Sequence, residues 1–537
     1  MRLVIIELMI SVLLIAVVCG SAWAAERPNI IFIMTDDLNT QVLRDGSTVR
    51  VPTPNIDRLR ARGVSFMNAH AVSPICGPSR AGTLCGYYPQ TSGYWGWKQQ
   101  QSHWRTHVLL KRSPTVFEHA RDNGYLVAGG GKVFHNGHHD KSVFMDGDKY
   151  TFGPGDSHGP WPLQAAGPAW KFWCSHPDFE GLGQFGFYTP LSNVPQVPAD
   201  PEKNVAGYAG WGDHSGPFYY NGRDDHQVMP DVKLAKWAAK WLDEASTERP
   251  FLLCVGFNRP HSPWVVPDEY FERFPLEAVH VVPTIADDTA DNAPELQAPK
   301  PDTWLKSGLS KHKKIINRDG DVRKWTQAYM ACVSFVDDQL GVVLDAVDNS
   351  EHAENTIIIF TSDHGYHMGE KQRIFKNTLW EPSTSVPLIV SGPGIVPEKR
   401  SQQPVSLIDI YQTIVEAASL PHKSIAISGA VDLALPPLDG LSLMQLCKDT
   451  TLPRNRTSVL SNVPAKARPD ADPKTAIPKQ HWSLRSEHFR YIRANAGGEE
   501  LYDMRSDKYE WHNLAADPNY AEIKTAFKKE LHKPLGL

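Results

Sequence analysis

Two adjacent carboxylates follow the first apolar run after the N-terminal leader. Residues 28–34 form a continuous apolar run rich in β-branched side chains, and Thr35, Asp36 and Asp37 come directly after it. Such a run is typical of a buried parallel strand, and open α/β sheets bind ligands at the carboxyl ends of their strands. Neighbouring carboxylates stay ionised together only near a cation or in full solvent. The pair is a candidate metal site, with a solvated turn or a helix cap as the alternative.

A cysteine in an unusual setting follows further along the chain. Cys76 stands between Pro74 and Pro78, and Ser79 and Arg80 come directly after it. A cysteine in an exported protein is usually a disulfide partner or a small buried hydrophobe, and this setting suits neither role. A helix predicted to begin near Ser79 would place its N-terminus beneath Cys76, where it helps to hold an anion.

Basic and acidic side chains also follow other predicted strands. The apolar runs at 125–128, 251–257 and from Thr356 onwards predict strands. The polar residues that come after them are Lys132, His135, His261, Asp363 and His364. A lone histidine, or a lysine and a histidine in a surface turn, is usually structural. Several such residues at the ends of parallel strands would nevertheless meet at one edge of the sheet.

These motifs resemble those of a known family. The Cys-x-Pro-Ser-Arg pattern of residues 76–80, extended by Leu84 and Gly86, resembles the signature of the type I sulfatases, whose cysteine is oxidised to formylglycine after translation. Cys85 stands where that family usually has threonine. Residues 131–135 resemble a stretch of the iduronate-2-sulfatase-like enzymes, and residues 361–365 resemble a motif of the sulfatase and alkaline phosphatase superfamily. The motifs follow the family's order over nearly the whole chain.

The resemblance implies a metal site and a set of catalytic residues. It implies one bound Ca²⁺, with Mg²⁺ possible because both prefer oxygen ligands. The implied ligands are Asp36, Asp37, Cys76, Asp363 and His364. The implied catalytic residues are Cys76 as formylglycine, Arg80 to hold its hydrate, Lys132 and Lys376 to bind sulfate, His135 to take a proton from the hydrate, and His261 to protonate the leaving oxygen. A formylglycine-generating enzyme is the implied partner during maturation.

The fold expected from this resemblance is an alkaline phosphatase-like α/β fold. It has a doubly wound, mostly parallel sheet and a smaller C-terminal α/β subdomain with a short antiparallel sheet. Helical spacing predicts helices over 55–63, 115–124, 231–245, 329–347 and 407–418, and further strands are expected over 64–71, 386–390 and 482–493. Residues 287–324 are polar, which predicts a surface excursion.

The chain of 537 residues exceeds the usual size of a single core, which predicts more than one domain. We expect a signal peptide at 1–24, a catalytic domain at 25–446 and a C-terminal subdomain at 447–537. Within the catalytic domain, residues 138–230 lack periodicity and predict an irregular insertion near the active site. Its tryptophans would either stack on sugar rings or anchor the insertion: Trp161, Trp170, Trp173 and Trp211.

The N-terminal sequence and the net charge limit where the protein can be located and what it can bind. Arg2, an apolar run over 8–18 and the small-x-small sequence at 22–24 are typical of a signal peptide. The run is shorter than the ~20 apolar residues that a spanning helix needs, so we expect a secreted or periplasmic protein with no membrane span in its mature chain. A net charge of −5 argues against nucleic-acid binding.

The expected function is that of an exported sulfuric ester hydrolase. It would remove sulfate from a sulfated sugar or polysaccharide fragment through formylglycine and a divalent metal. One alternative is a phosphate or phosphonate ester hydrolase of the same superfamily, because the same site stabilises either tetrahedral anion. The other is a catalytically silent protein that binds sugars, the outcome expected if Cys76 is never converted.

Overall fold

The computed structural model describes most of the chain. The described residues are 27–96, 103–135, 140–156, 161–162, 188–193, 208–209, 221–226, 229–297, 319–421, 435–465 and 473–536. The predicted signal peptide and three tryptophans of the predicted insertion, Trp170, Trp173 and Trp211, lie outside them. Within these ranges, no helix combines the length and the apolar character needed to cross a bilayer.

Short strands build one large sheet and several small ones. In chain order the strands are β1 (Asn29–Thr35), β2 (Gly63–Phe66), β3 (Ala69–His70), β4 (Leu126–Gly131), β5 (Met145–Asp146), β6 (Lys149–Tyr150), β7 (Phe152–Gly155), β8 (Trp161–Pro162), β9 (Tyr188–Pro190), β10 (Tyr208–Ala209), β11 (Phe251–Gly256), β12 (Trp264–Val266), β13 (Thr356–Ser362), β14 (His367–Met368), β15 (Ile374–Phe375), β16 (Ser385–Val386), β17 (Leu388–Ser391), β18 (Lys399–Ser401), β19 (Val405–Ser406), β20 (Ser458–Pro464), β21 (Gln480–Ser486), β22 (Phe489–Arg493) and β23 (Glu499–Asp503).

Helices cover the sheets and connect their strands. In chain order the α-helices of the described ranges are α1 (Pro54–Ala61), α2 (Cys76–Cys85), α3 (Pro89–Ser92), α4 (Val108–Arg112), α5 (Val116–Asp122), α6 (Pro230–Glu244), α7 (Asp268–Glu272), α8 (Asp319–Asp348), α9 (Glu381–Thr384), α10 (Asp409–Ala417), α11 (Met444–Lys448), α12 (Pro473–Ala476) and α13 (Ala521–Leu535).

The large sheet is mostly parallel and has helices on both faces. The order of its eight described strands is β18-β2-β17-β13-β1-β11-β4-β7, with β17 antiparallel to both of its neighbours. Alternate residues of β1 enter two different cores: Ile31 and Ile33 pack in the core that includes α1, α6 and α8, whereas Phe32 packs in the core of α2, α5 and α10. This arrangement confirms the predicted doubly wound α/β fold.

Parallel pairing brings several strand ends to one edge. β1 runs parallel to both β11 and β13, with Met34 opposite Gly256 and Thr35 opposite Ser362. β4 runs parallel to β11, with Gly131 opposite Gly256. The residues that follow β1, β4, β11 and β13 therefore lie close together, at the edge where such sheets bind ligands.

A smaller antiparallel sheet lies in the C-terminal part of the chain. It has the order β20-β21-β22-β23, and α13 packs against it through Phe527 and Leu531, which share a buried cluster with Tyr491 and Leu501. The expected C-terminal α/β subdomain with a short antiparallel sheet is therefore present. The boundary at residue 447 stays a prediction.

Three local expectations differ from the structure. The single strand expected over 64–71 is two strands, because the chain leaves the large sheet after Phe66 and β3 then pairs with β16 and β19. The helix expected from Ser79 begins at Cys76 itself. The polar segment from residue 287 is not simply a surface excursion, because Asp288 is fully buried.

Candidate active site

Asp36 and Asp37 follow β1 and contact the residues that follow β13. The Asp37 amide donates to Oδ1 of Asp363 at 3.2 Å, and the Tyr329 hydroxyl donates to the Asp37 carbonyl at 2.6 Å. Asp37 has a φ of +68°, which is unfavourable for a residue with a Cβ. These contacts, one from the residues after β13 and one from α8, hold the strained turn, and Asp36 and Asp37 are buried within it.

Cys76 is the first residue of α2 and is 1% exposed. Its Sγ lies 3.1 Å from Nζ of Lys376, 3.3 Å from Nε2 of His364 and 3.6 Å from Oδ1 of Asp36. These residues come from four separate parts of the chain. The structure therefore brings the cysteine signature, the first carboxylate pair, the Asp-His motif and the later lysine into one buried centre.

Arg80 lies one turn along α2 and joins three strand ends. Its Nε donates to Oδ2 of Asp363 at 2.9 Å, its Nη2 donates to the Thr35 carbonyl at 3.2 Å, and its Nη1 donates to the Lys132 carbonyl. The side chain is completely buried. Burial opposes its charge, but Asp363 and Asp36 outweigh that effect and hold the pKa of Arg80 above its usual value. A fixed cation therefore stands beneath the centre at neutral pH.

Two lysines contact the aspartate pair, one on each carboxylate. The Lys132 ammonium donates to the Asp36 carboxylate, and the Lys376 ammonium donates to Oδ1 of Asp37 at 2.6 Å. Burial opposes the charge of each lysine, but Asp36 for Lys132 and Asp37 for Lys376 outweigh it and raise both pKa values. Both lysines are therefore cations at neutral pH.

The approach of Lys132 depends on glycines. Gly131 ends β4 with a φ of +70°, and a Cβ on Gly256 of β11 would lie 2.2 Å from the Lys132 carbonyl oxygen. That distance is too short for any side chain. Glycine at both positions lets the backbones of β4 and β11 pack closely, so that the side chain of Lys132 can reach Asp36.

His261 lies beyond β11 at the opening of the site. Its side chain is 16% exposed, and its Nε2 lies 3.9 Å from Oδ2 of Asp37. Its Nδ1 lies 2.6 Å from the Ser262 carbonyl oxygen, which can only accept a hydrogen bond. Nδ1 therefore carries a proton, and Nε2 is the nitrogen that gains or loses one.

Asp231 supports this histidine and was not among the predicted site residues. Its carboxylate accepts from the Asn258 amide at 2.8 Å and from the Arg259 amide at 3.0 Å, and it is 1% exposed. The bonds fix the turn that carries His261. Asp231 is the second residue of α6, where an acidic side chain is common because it stabilises the helix N-terminus, so its residue type alone does not indicate a role in the site.

His135 lies three residues beyond Lys132 and is half-buried. It follows Phe134, whose ring stacks on Trp104 at a centroid distance of 5.0 Å. His135 thus lies four residues beyond the end of β4, in the segment that also carries Lys132.

A metal fits the donor set. Asp36, Asp37, Cys76 and His364 each offer a ligand atom within 4.8 Å of the others, and all four are buried. Asp363 is next to this group, with Oδ1 3.6 Å from Nε2 of His364. Nδ1 of His364 donates to the Gly365 carbonyl at 2.9 Å, which leaves Nε2 to face the centre.

The electrostatics of the centre also favour a cation. Burial, with repulsion from Asp36, raises the pKa of Asp37 to about 7 although Lys376 opposes the rise. Burial alone would lower the pKa of His364, but Asp363 outweighs it and the pKa rises to about 9. Protonation is thus favoured at both Asp37 and His364, and a divalent cation held between them would take the place of those protons.

Cys85, where the chain departs from the sulfatase signature, lies in the core. It ends α2 and is completely buried among apolar residues, and burial raises its pKa to about 12. A buried thiol with a raised pKa is chemically inert. The departure therefore changes core packing at the far end of the helix and not the centre around Cys76.

Residues 28–420 match the family model described as "Sulfatase". The chain belongs to the sulfatase family. Residues 369–535 of this sulfatase also match a model described as "N-sulphoglucosamine sulphohydrolase, C-terminal". The protein is thus an enzyme of a class that hydrolyses sulfate esters.

Curated relatives cover much of the chain. A "Sulfatase" from Formosa agariphila is 31% identical over 515 residues, which cover 95% of this chain and 87% of the relative. "Iduronate 2-sulfatase" from Mus musculus is 30% identical over 387 residues, but these cover only 69% of this chain and 60% of the relative. The similarity to that subfamily is therefore partial.

Solved structures share the fold. A structure described as a 2-O GAG sulfatase has a TM-score of 0.63 and 20% identity, and the match covers 95% of this chain and 92% of that one. The phosphonate monoester hydrolase of Agrobacterium radiobacter has a TM-score of 0.67 and 22% identity, covering 94% and 95%. At these identities the structural comparisons support the alkaline phosphatase-like fold alone. Which ester the enzyme hydrolyses has to be inferred from the residues of the site.

Proposed function

We propose that this sulfatase is exported and removes sulfate from a sulfated sugar, using Cys76 converted to formylglycine and a bound divalent metal. The observation that carries the proposal is the position of Cys76. Its Sγ lies within 3.6 Å of a buried carboxylate oxygen, a buried imidazole nitrogen and the ammonium of Lys376, whose side chain is 9% exposed. A nucleophile placed among metal ligands and fixed cations suits attack on an anionic ester.

Two absent groups complete this chemistry. Formylglycine at position 76, made by a formylglycine-generating enzyme, would supply the attacking hydroxyl in its hydrated form. A divalent metal, for which we propose Ca²⁺ with Mg²⁺ possible, would be held by Asp36, Asp37, Asp363, His364 and residue 76, and would polarise the ester as a Lewis acid.

The lysines and Arg80 supply fixed positive charge. Without substrate, Lys132 contacts Asp36 and Lys376 contacts Asp37. With substrate bound, the two ammonium groups would bind the sulfate oxygens. Arg80, joined to Asp363 at 2.9 Å, would hold the hydrate in place. Cations that stand ready in a buried site stabilise developing negative charge without reorganisation, which is the largest contribution in many enzymes.

The histidines would move the protons. Nε2 of His261 lies 3.9 Å from Oδ2 of Asp37 and Nδ1 is engaged with the Ser262 carbonyl, so Nε2 would protonate the oxygen of the departing alcohol. His135 would take a proton from the hydrate at residue 76. General acid catalysis matters most when the leaving alcohol is poor, as a sugar hydroxyl is.

The substrate class rests on similarity and on the site. Relatives described as an iduronate 2-sulfatase and as an "Ulvan-active sulfatase" of Formosa agariphila, the latter 25% identical over 95% of this chain, support a sulfated sugar. We place the protein near the iduronate-2-sulfatase-like enzymes without assigning it their sugar. The apolar run before the small-x-small sequence at 22–24 supports a secreted or periplasmic location.

A substrate comparison tests the proposal. Purified protein, co-expressed with a formylglycine-generating enzyme, is assayed with nitrophenyl sulfate, a phenyl phosphonate monoester and a panel of sulfated oligosaccharides. The proposal predicts release of inorganic sulfate from the aryl ester and from at least one sugar, and loss of both in Cys76→Ala. Turnover of the phosphonate alone would favour the alternative ester, and binding of sugars without turnover would favour a silent binding protein.

A further inference from the structure

A short hairpin carries Lys376 into the active site. β14 pairs antiparallel with β15, with His367 opposite Phe375, and Lys376 is the next residue. Both neighbours of Lys376 have positive φ, +85° for Phe375 and +68° for Asn377. Residues with a Cβ persist in such conformations only where surrounding contacts impose them. The position of Lys376 therefore depends on what holds the hairpin.

The tip of the hairpin is held by a buried ion pair. Nζ of Lys371 lies 2.9 Å from Oδ1 of Asp288, and the side chain of each residue is 1% exposed. The Lys371 amide also donates to Oδ2 of Asp288 at 2.8 Å, and its ammonium donates to the carbonyls of Asp288 and Glu510. Lys371 has a φ of +55°. Its main chain and its side chain are thus fixed to the same partner.

Glu510 connects this tip to the other end of the segment. Its carbonyl accepts from the Lys371 ammonium, and Oε2 of its carboxylate accepts from the Glu381 amide at 2.7 Å. Oε1 lies 2.6 Å from Nε of Arg490 in β22. Lys376 lies midway between Lys371 and Glu381 along the chain. One residue of the C-terminal part therefore holds both ends of the segment that carries Lys376.

We propose that Lys371 is a positioning residue that, through Asp288 and Glu510, holds Lys376 in the place from which it binds sulfate. The inference rests on the proposed function, because that function assigns Lys376 to the sulfate. Within the described residues, the contacts of Lys371 run to Asp288, Glu510 and the rings of Trp380 and Tyr502. Lys371 therefore acts through the hairpin and does not touch the reacting atoms.

A double-mutant cycle with Lys376 tests this coupling. The value of kcat/KM for nitrophenyl sulfate is measured for the wild type, Lys371→Met, Lys376→Ala and the double variant, each corrected for its folded fraction. Lys371→Met should lower kcat/KM about tenfold, and adding it to Lys376→Ala should change kcat/KM by less than about twofold. If the two losses multiply in the double variant, Lys371 does not act through Lys376 and the proposal is overturned.

A matched control separates positioning from a general loss of stability. Arg454 forms another buried ion pair, 3.3 Å from Asp409, with side chains 7% and 0% exposed. Arg454→Met should lower stability and leave kcat/KM of the folded enzyme unchanged. If Lys371→Met fails to fold, Asp288→Asn takes its place in the cycle, since it removes the ion pair and leaves the contact of Lys371 with Glu510. Multiplying losses for Asp288→Asn would equally overturn the proposal.

Two readouts do not depend on turnover. Inorganic sulfate binding, measured by calorimetry with calcium present, should weaken in Lys371→Met to nearly the extent seen in Lys376→Ala, and amide hydrogen exchange should rise across residues 369–381. Unchanged sulfate binding and unchanged exchange would contradict the positioning role. A wild type that binds sulfate but hydrolyses no ester would contradict the proposed function. In that case, the comparison of sulfate binding between Lys371→Met and Lys376→Ala would still decide the role of Lys371.

Discussion

Arg80 and Asp363 form an ion pair from which solvent is completely excluded. Nε of Arg80 donates to Oδ2 of Asp363 at 2.9 Å, and each side chain has an exposure of 0%. The other guanidinium nitrogens reach the carbonyls of Thr35 and Lys132. One side chain thus joins the ends of three strands, and the geometry of the whole centre depends on its forked shape.

Replacing Arg80 by lysine should therefore be costly despite the conserved charge. Lysine cannot reach three acceptors in different directions, so buried carbonyls lose their donors. Arg80→Lys should lower the free energy of unfolding by about 2–4 kcal/mol and abolish most activity. Urea unfolding checks the first effect. Arg400→Lys, which alters an exposed pair with Asp45, should cost less than about 1 kcal/mol. Equal losses for the two variants would show that the forked shape of Arg80 is not what stabilises the centre.

Removing His261 should affect substrates unequally. If Nε2 protonates the leaving oxygen, His261→Ala should lower kcat for a sulfated sugar by about 100- to 10,000-fold. The loss for nitrophenyl sulfate should be much smaller, because nitrophenolate leaves without a proton. Steady-state kinetics on both esters give the comparison. A similar loss on the two substrates would remove the general-acid role.

Calcium should stabilise the fold through the Asp36 and Asp37 carboxylates. At a calcium concentration of 100 times Kd, the free energy of unfolding should rise by about 2.7 kcal/mol over the chelator-treated protein. Asp37→Asn should lose most of this gain, whereas Asp45→Asn, whose side chain is 66% exposed, should keep it. Urea unfolding with calcium or with a chelator measures each gain. An equal gain in both variants would place the metal elsewhere.

His367 should make the fold sensitive to acid. Burial, with Arg373 adding to its effect, lowers the pKa of His367 to about 3. Below about pH 6.5 the unfolded chain binds a proton on this residue that the folded chain does not, so the free energy of unfolding falls as pH falls from 6.5 towards 3. At pH 5 this residue alone should cost about 2 kcal/mol. His367→Gln should make the free energy of unfolding, measured by urea unfolding, depend less steeply on pH. His488→Gln, at an exposed position, is the control and should leave that dependence unchanged. A dependence as steep in His367→Gln as in the wild type would assign the effect to other groups.

Much of the fold was predictable because the buried strands carry a strong signal. β1 and β13 are buried on both faces and therefore consist largely of apolar residues, many of them β-branched. Polar residues directly after such runs, such as Asp36 and Asp363, could be placed together because parallel strands share one edge. The split at residues 66–69 was not predicted, since no glycine or proline interrupts residues 64–71 and the division between β2 and β3 follows from their different tertiary pairing.

The supporting residues of the site were not predictable in the same way. Lys376 follows a two-residue strand, and only the family resemblance pointed to it. Asp231, Asp288 and Glu510 are polar residues at a helix start or in irregular segments, where exposure is the usual outcome. Their partners lie far away in sequence, as Glu510 does from Lys371. No local sequence pattern predicts such pairings.

The state of residue 76, compared with activity, decides whether formylglycine at this position is the nucleophile. The peptide that contains Cys76 is analysed by mass spectrometry in preparations made with increasing amounts of formylglycine-generating enzyme, and sulfate release is measured in each. Turnover should rise in proportion to the fraction of formylglycine and be absent where residue 76 is unmodified cysteine. Full turnover by the unmodified protein would show that the nucleophile is another group.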